Sequence, residues 1–196
     1  MGRLNMAQVD ILIKGYNQEV SEELHKYAST TTLVRSGEFN IVVDPGTHKS
    51  TDLYVQALKK FNLTPDDITH VFTTHEHLDH TRDIPFFKNA TVIDGVGFHK
   101  ADEHRFDESK ELGIAPGVKR IATPGHGQED QHASLLVDTD KGVVCVAGDL
   151  WWYEDFTPVD DPYISNPEAL EGSRKKILEL ADWIIPGHGG VVKVER

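Results

Sequence analysis

Apolar residues fall along this chain in short runs separated by turn residues, a spacing that predicts many short strands and few helices. Val9–Lys14 is the first such run. Tyr27–Arg35 is rich in threonine and other β-formers, and Ser36, Gly37 and Glu38 turn it into Phe39–Val43, which ends at Asp44-Pro45-Gly46. From Thr51 to Phe61 the period changes, and Leu53, Tyr54, Ala57, Leu58 and Phe61 share one face of an amphipathic helix. Strands are expected again at Ile68–Phe72, Ala90–Asp94, Val118–Ala122, His132–Asp138 and Gly142–Ala147, the last two joined by a tight turn at Thr139-Asp140-Lys141. Asn166 caps a second helix, Pro167 takes its first position, and the helix runs to about Leu180. Trp183–Ile185 is the last expected strand. Strands followed by a helix, twice over, predict a layered α/β protein with one domain over residues 1–196, an alternation that several α/β architectures share.

The chemistry gathers where strands end. The run Ile68–Phe72 leads into Thr74-His75-Glu76-His77-Leu78-Asp79-His80, so the motif sits on the loop leaving a strand. Histidine is 11 of 196 residues, yet three fall within these six positions, beside an aspartate. Alternate residues of an extended segment point the same way, which turns His75 and His77 together and leaves Asp79 and His80 to face a neighbouring point. His126, Asp149 and His188 each occupy a glycine-containing turn after an apolar run, where the backbone can bend sharply and come close to a ligand. Together these seven make a ligand set for two adjacent metal ions. Imidazole nitrogen and carboxylate oxygen suit two Zn2+, with iron or manganese as alternatives. The other histidines, His25, His48, His70, His99, His104 and His132, read as surface or core residues, and Glu76 and Leu78 as structural ones.

Charge narrows the partners. The chain has 20 Lys and Arg against 32 Asp and Glu, a formal net charge of −12 that repels a polyanion at long range. A short single-stranded nucleic-acid end reaching the metals remains compatible with it. No apolar run approaches the roughly 20 residues of a membrane helix. The N-terminus lacks the apolar core of a secretory signal, and the lone Cys145 fits a small buried strand residue. These features predict a cytoplasmic protein without a membrane partner. The oligomeric state stays open, a homodimer included.

The order His-x-His-x-Asp-His, then His, Asp and His, resembles that of the metallo-β-lactamase-fold hydrolases, over about Val9 to Val194. The resemblance implies an αββα sandwich of two mixed β-sheets flanked by helices, with the metals on strand-end loops at one edge. It implies that His75, His77 and His126 hold one metal, that Asp79, His80 and His188 hold the other, and that Asp149 bridges them. Asp79 and Asp149 then become the catalytic carboxylates. Thr123-Pro-Gly-His-Gly-Gln-Glu-Asp130, Val146-Ala-Gly-Asp-Leu150 and Ile184-Ile-Pro-Gly-His-Gly189 are similar to one branch of the family, which is associated with RNA 3′-end processing. With eight residues after His188 and no large insertion between Asp149 and His188, the comparison predicts no C-terminal accessory domain and no cap domain.

The chemistry that follows is hydrolysis of an ester-like or phosphodiester bond, because two ions about 3.5–4 Å apart share a hydroxide and bring the pKa of its parent water to around 7. A nuclease on short RNA or single-stranded DNA is the foremost specific version, and a lactonase or thioesterase acting on a small ester, favoured by the acidic surface, is its close competitor. A mononuclear iron persulfide dioxygenase is a third reading, weakened because Trp151-Trp-Tyr-Glu-Asp155 stands where that group carries glycine and arginine. Asp44 is a candidate for orienting a ligand histidine, or a plain turn residue. Trp151, Trp152 and Tyr153, with Phe156 beyond them, either line a substrate pocket or cover the sheet edge. Arg82 follows the motif and either narrows the entrance, favouring an anionic substrate, or pairs with Asp83.

Overall fold

A computed structural model describes residues 6–107, 109–128, 131–154 and 161–195. The chain begins with β1 (Gln8–Ile13), β2 (Tyr16–Ser21), β3 (Leu24–Ala28), β4 (Thr31–Ser36) and β5 (Phe39–Val43). Helix α1 (Asp52–Lys59) leads to β6 (His70–Phe72), the short α2 (Leu78–Thr81) and β7 (Thr91–Ile93). Next come β8 (Gly97–Lys100), β9 (Glu103–Phe106), β10 (Glu111–Ala115), β11 (Val118–Ala122), β12 (Ala133–Thr139) and β13 (Gly142–Gly148). Helix α3 (Pro167–Leu180), β14 (Trp183–Pro186) and β15 (Val192–Lys193) complete it.

One sheet has the order β1-β4-β5-β6-β7-β8-β9 and the other β10-β11-β12-β13-β14-β15, while β2 and β3 form a separate hairpin. Both sheets are mixed: β5, β6 and β7 run parallel, as do β13 and β14, and the remaining pairs are antiparallel. Period-two side-chain direction makes three apolar layers from two sheets. On β5, Ile41 and Val43 face the other sheet while Val42 faces α1; on β12, Leu135 and Val137 face inward and Leu136 faces α3. Tyr54 and Leu58 of α1 cover the first sheet, and Leu170 and Ile177 of α3 cover the second. Each of these buried side chains contributes roughly 1.5–3 kcal/mol. The order α1, sheet, sheet, α3 is the expected αββα sandwich. Among the described residues no helix is long and apolar enough to cross a membrane.

Two expectations change. Tyr27–Arg35 is not one strand: it breaks after Ala28, where the Ser29 amide donates to Asp79 O and the Thr30 amide to Gly187 O, leaving the sheet ladder for the loops beyond. The hairpin β2–β3 and the peripheral strands β8, β9, β10 and β15 are not among the expected strands, because they are short and carry few fully buried apolar residues. Arg120, part of what reads as a short basic cluster, is 1% exposed. From β11 its guanidinium donates to the carbonyls of Asp94, Asp107 and Ser109, and so ties the second sheet to the loops of the first. We expect Arg120→Met to cost about 3 kcal/mol in urea unfolding, since three part-buried carbonyls lose a charged donor. A loss under about 1 kcal/mol would show that the staple is dispensable.

Candidate metal centre

The parallel strands β5, β6, β13 and β14 all end at the same edge of the sandwich, and Asp44, His75, Asp149 and His188 follow those ends. His77 and Asp79 come from the turn into α2 and its first residues, His80 from α2 itself, and His126 from the loop between β11 and β12. All seven predicted side chains converge, and six are buried while His77 is partly open. They form two groups. His75, His77, His126 and Asp149 bring their donor atoms within 4.8 Å of one another, and so do Asp79, His80 and His188. Asp149 also reaches into the second group: its carboxylate lies 3.3 Å from His80 Nε2 and 3.4 Å from His188 Nε2, as well as 3.6 Å from His126 Nε2.

Each ring is turned by a contact at its other nitrogen. Thr74 Oγ1 lies 2.9 Å from His75 Nδ1, Asp44 Oδ2 lies 2.9 Å from His80 Nδ1, and Ala28 O lies 3.0 Å from His188 Nδ1. Those contacts leave Nε2 of all three rings facing the centre. His77 instead presents Nδ1, 2.9 Å from His75 Nε2. Two glycines make the packing feasible. Gly148 has φ +57, and a Cβ there would sit 2.5 Å from Thr74 Oγ1; a Cβ on Gly187 would overlap Asp149 Oδ1. The fit to metal is visible in unmet valences: His80 Nε2, His126 Nε2 and Asp149 Oδ1 are buried and make no hydrogen bond. A buried polar atom left unpaired costs about 1–3 kcal/mol, and a divalent cation held by imidazole nitrogens and carboxylate oxygens would be the missing partner.

The electrostatics separate the rings. Burial alone would lower His80, but Asp149 and Asp44 on either side hold its pKa well above the ordinary histidine value. His188 is likewise raised, its burial outweighed by Asp149. Burial and the neighbouring His80 push His75 well down, and burial with His126 lowers His77. Asp149 is held well below the carboxylate range, because His188 and His80 outweigh its burial.

Other residues stand differently from their sequence reading. Asp44 meets His80 and also accepts the Thr74 amide and hydroxyl. Trp152 and Tyr153 line a cleft of about 660 Å³ that His77, Asp79, Asp149 and His188 also line, but Trp151, at the start of the bend after β13, packs on the α3 core. Phe156 and the acidic pair Glu129-Asp130 lie outside the described residues. Arg82 is exposed and lines a neighbouring cleft instead, because it stands two residues beyond His80 on a helical turn and so points away from it. Asp83 accepts from Tyr54 Oη at 3.1 Å and does not pair with Arg82. Leu78 is 71% exposed and forms part of the cleft wall, and Glu76 accepts the Gln128 amide beside the His126 loop.

Several contributors carried no sequence signal. His132, read as an ordinary core histidine, stacks on His75 at 5.2 Å, and burial drives its pKa to about 3. Asp161 is buried, with Oδ2 3.2 Å from His126 Nδ1 while also accepting Trp152 Nε1. Tyr163 meets His77 edge to face, with ring centroids 4.8 Å apart. Asn17, Glu19, His25 and Tyr27 bring the exposed hairpin into the cleft wall. None has ligand spacing; only the fold brings them close.

Two outcomes follow. His80 and His188, raised above the ordinary histidine value by the carboxylates beside them, favour the protonated form and must release a proton to coordinate a cation. Zinc uptake at pH 7 is therefore expected to release protons, read as a binding heat that varies with the ionisation enthalpy of the buffer; a buffer-independent heat would contradict it. Asp161→Asn should weaken zinc binding roughly 10–100-fold in a chelator competition, and unchanged affinity would leave Asp161 only its contacts to Trp152 and Tyr163.

Comparison with known proteins agrees with this geometry. The profile of the metallo-beta-lactamase superfamily matches residues 26–188. Metallo-beta-lactamase domain-containing protein 1 of Xenopus laevis, of the branch that the second half resembles, is 35% identical over 95% of this chain and 81% of its own length. An N-acyl homoserine lactonase of Bacillus thuringiensis is 27% identical over 66% of this chain and 57% of its own. The crystal structure of a metallo-beta-lactamase-like protein from Thermotoga maritima superposes with a TM-score of 0.70 at 23% identity, covering 96% of this chain and all of that one, and so shares the fold. With the matched profile covering the hairpin strand β3 through His188, the chain belongs to the metallo-beta-lactamase superfamily.

Proposed function

We propose that this metal-dependent hydrolase of the metallo-β-lactamase superfamily holds two zinc ions and cleaves an ester-like bond, with small lactones or thioesters as its substrate class. The observation that carries the reading is a pair of donor groups sharing Asp149 beneath a cleft walled by Tyr27, Trp152, Tyr153 and Tyr163. In this reading His75, His77 and His126 hold one ion, Asp79, His80 and His188 hold the other, and Asp149 lies between. When bound, the ions supply Lewis acidity and a water made acidic enough to ionise near neutral pH. Asp79, whose side chain is 11% exposed toward the cleft, is placed to pass a proton to the departing oxygen or sulfur. The aromatic wall holds the apolar part of the substrate at low cost in conformational freedom. Likeness to a lactonase supports this class.

Phosphodiester cleavage at a short RNA or single-stranded DNA end is the second reading, favoured by likeness to metallo-beta-lactamase domain-containing protein 1. The net charge of −12 argues for a short end over an extended polynucleotide.

Elemental analysis of protein purified without added metal is expected to give about two zinc ions per chain. His77→Ala and Asp149→Ala should each lose metal and lower lactone hydrolysis by about a thousandfold, roughly 4 kcal/mol of barrier. An active, fully metallated His77→Ala protein would sink the assignment. One iron per chain with little zinc would favour the dioxygenase reading.

A further inference from the structure

Beside the metal cleft lies a second one of about 400 Å³, and the two share His25, Tyr27, Leu78 and Asp79 as a common wall. Its lining is basic: Lys26 comes from β3, Lys49 from the loop before α1, and Arg82 from the end of α2, with His48 beside them. This stands out in a chain with 32 acidic residues against 20 Lys and Arg. Several cations elsewhere meet carboxylates, as Lys14 meets Glu154, Arg35 meets Asp10, and Lys119 and Lys176 meet Glu111, while others such as Lys59, Lys60 and Lys100 stand exposed on the surface outside both clefts. Lys26, Lys49 and Arg82 have no ion-pair partner among the described residues. The nearest carboxylates are engaged: Asp83 accepts from Tyr54 Oη and the His48 amide, and Asp79 faces His80 and His188. Burial lowers the His48 pKa, so that ring adds donor capacity more than charge.

Three cations from three separate elements line one open cleft, where an anion would offset their mutual repulsion. One carboxylate would satisfy a single guanidinium fork and leave two ammonium groups unmatched; a phosphate carries up to two negative charges and enough oxygens for all three. We propose that this cleft is an anion subsite, which holds a phosphate group carried by the same molecule whose ester bond lies over the metal centre. The proposal rests on the hydrolase reading for the bond that breaks, and adds that the preferred substrate is a phosphorylated ester or lactone. Leu78 and Asp79 form the saddle over which such a substrate passes from one cleft to the other.

The test uses the metal-loaded protein and two lactones that differ only at the end of an alkyl side chain, one closing in methyl and one in phosphate. The phosphorylated lactone should have kcat/KM about tenfold or more above its neutral counterpart, chiefly through KM, and the gap should shrink as salt is raised. The exposed double substitution Lys26→Glu with Lys49→Glu should erase that ratio or invert it. Hexyl phosphate, titrated calorimetrically into both proteins, gives a readout independent of turnover, and the double substitution should weaken its binding about tenfold or more. Equal use of both lactones, with hexyl phosphate binding indifferent to the substitution, would overturn the subsite and leave the hydrolase intact. If neither lactone is turned over while hexyl phosphate binding still depends on Lys26 and Lys49, the lactone reading fails and the subsite stands.

Discussion

The geometry of the site depends on the carboxylate of Asp44, which is neither part of the metal-ligand motif nor exposed. Its two oxygens accept the Thr74 amide at 2.8 Å, the Thr74 hydroxyl at 2.8 Å and His80 Nδ1 at 2.9 Å. Thr74 in turn sets His75 through its hydroxyl, and its carbonyl accepts the amide of Ala133 from the opposite sheet. The Asp44 carbonyl takes hydrogen bonds from Ser29 and Thr31. One residue thus fixes the ends of β5 and β6, the start of β12 and a ring from each group of donors. Its backbone has φ +48, a left-handed conformation that costs about 1–3 kcal/mol in general but less for aspartate, whose short side chain bonds locally. The surrounding hydrogen bonds hold it there.

Around that anchor the site solves a charge problem. Five imidazoles and two carboxylates crowd an enclosed volume, and Asp44 and Asp161 stand behind the rings. The carboxylates favour the protonated form of His80 and His188, whereas burial favours the neutral form of His75, His77 and His132. The cluster is therefore already split, before any ion arrives, into rings with a free lone pair and rings that must first give up a proton. His75 and His77 belong to the first group of donors, and His80 and His188 to the second.

Much of this was legible in the sequence because ligation needs particular residue types at strand ends. The seven converging side chains stand out by spacing, and α1, α3 and the central strands follow from apolar period and from Asn166 and Pro167. Asn166 does accept the Ala169 amide as an N-cap. What stayed hidden is whatever rests on contacts remote in sequence. Asp161 sits in a polar loop, His132 at the start of a strand, and Tyr163 beside a proline, and nothing local ties them to His126, His75 or His77. The hairpin β2–β3 was hidden because a strand with neither face buried has no alternation to show. Trp151 and Arg82 show the opposite case, where a residue close to a ligand in sequence faces elsewhere: Trp151 packs on the α3 core, and Arg82 lines the neighbouring cleft.

The tie between the first and last parts of the sandwich also bears on how the protein is made. Thr30 donates its amide to Gly187 O and its hydroxyl to Gly189 O, and Ala28 O meets His188 across 160 positions of sequence. A ribosome delivers residues from the N-terminal side at about 5–20 per second, so the strand pairs of the first sheet can assemble well before β14 has been synthesised. Until then the break at Ser29 and Thr30 has one of its two partners missing, and the hairpin above it has no fixed direction. Contacts this distant slow folding through loop-closure entropy. The donor set is thus complete only once His188 has been synthesised, and a shorter nascent chain lacks the full set of side chains for a metal ion.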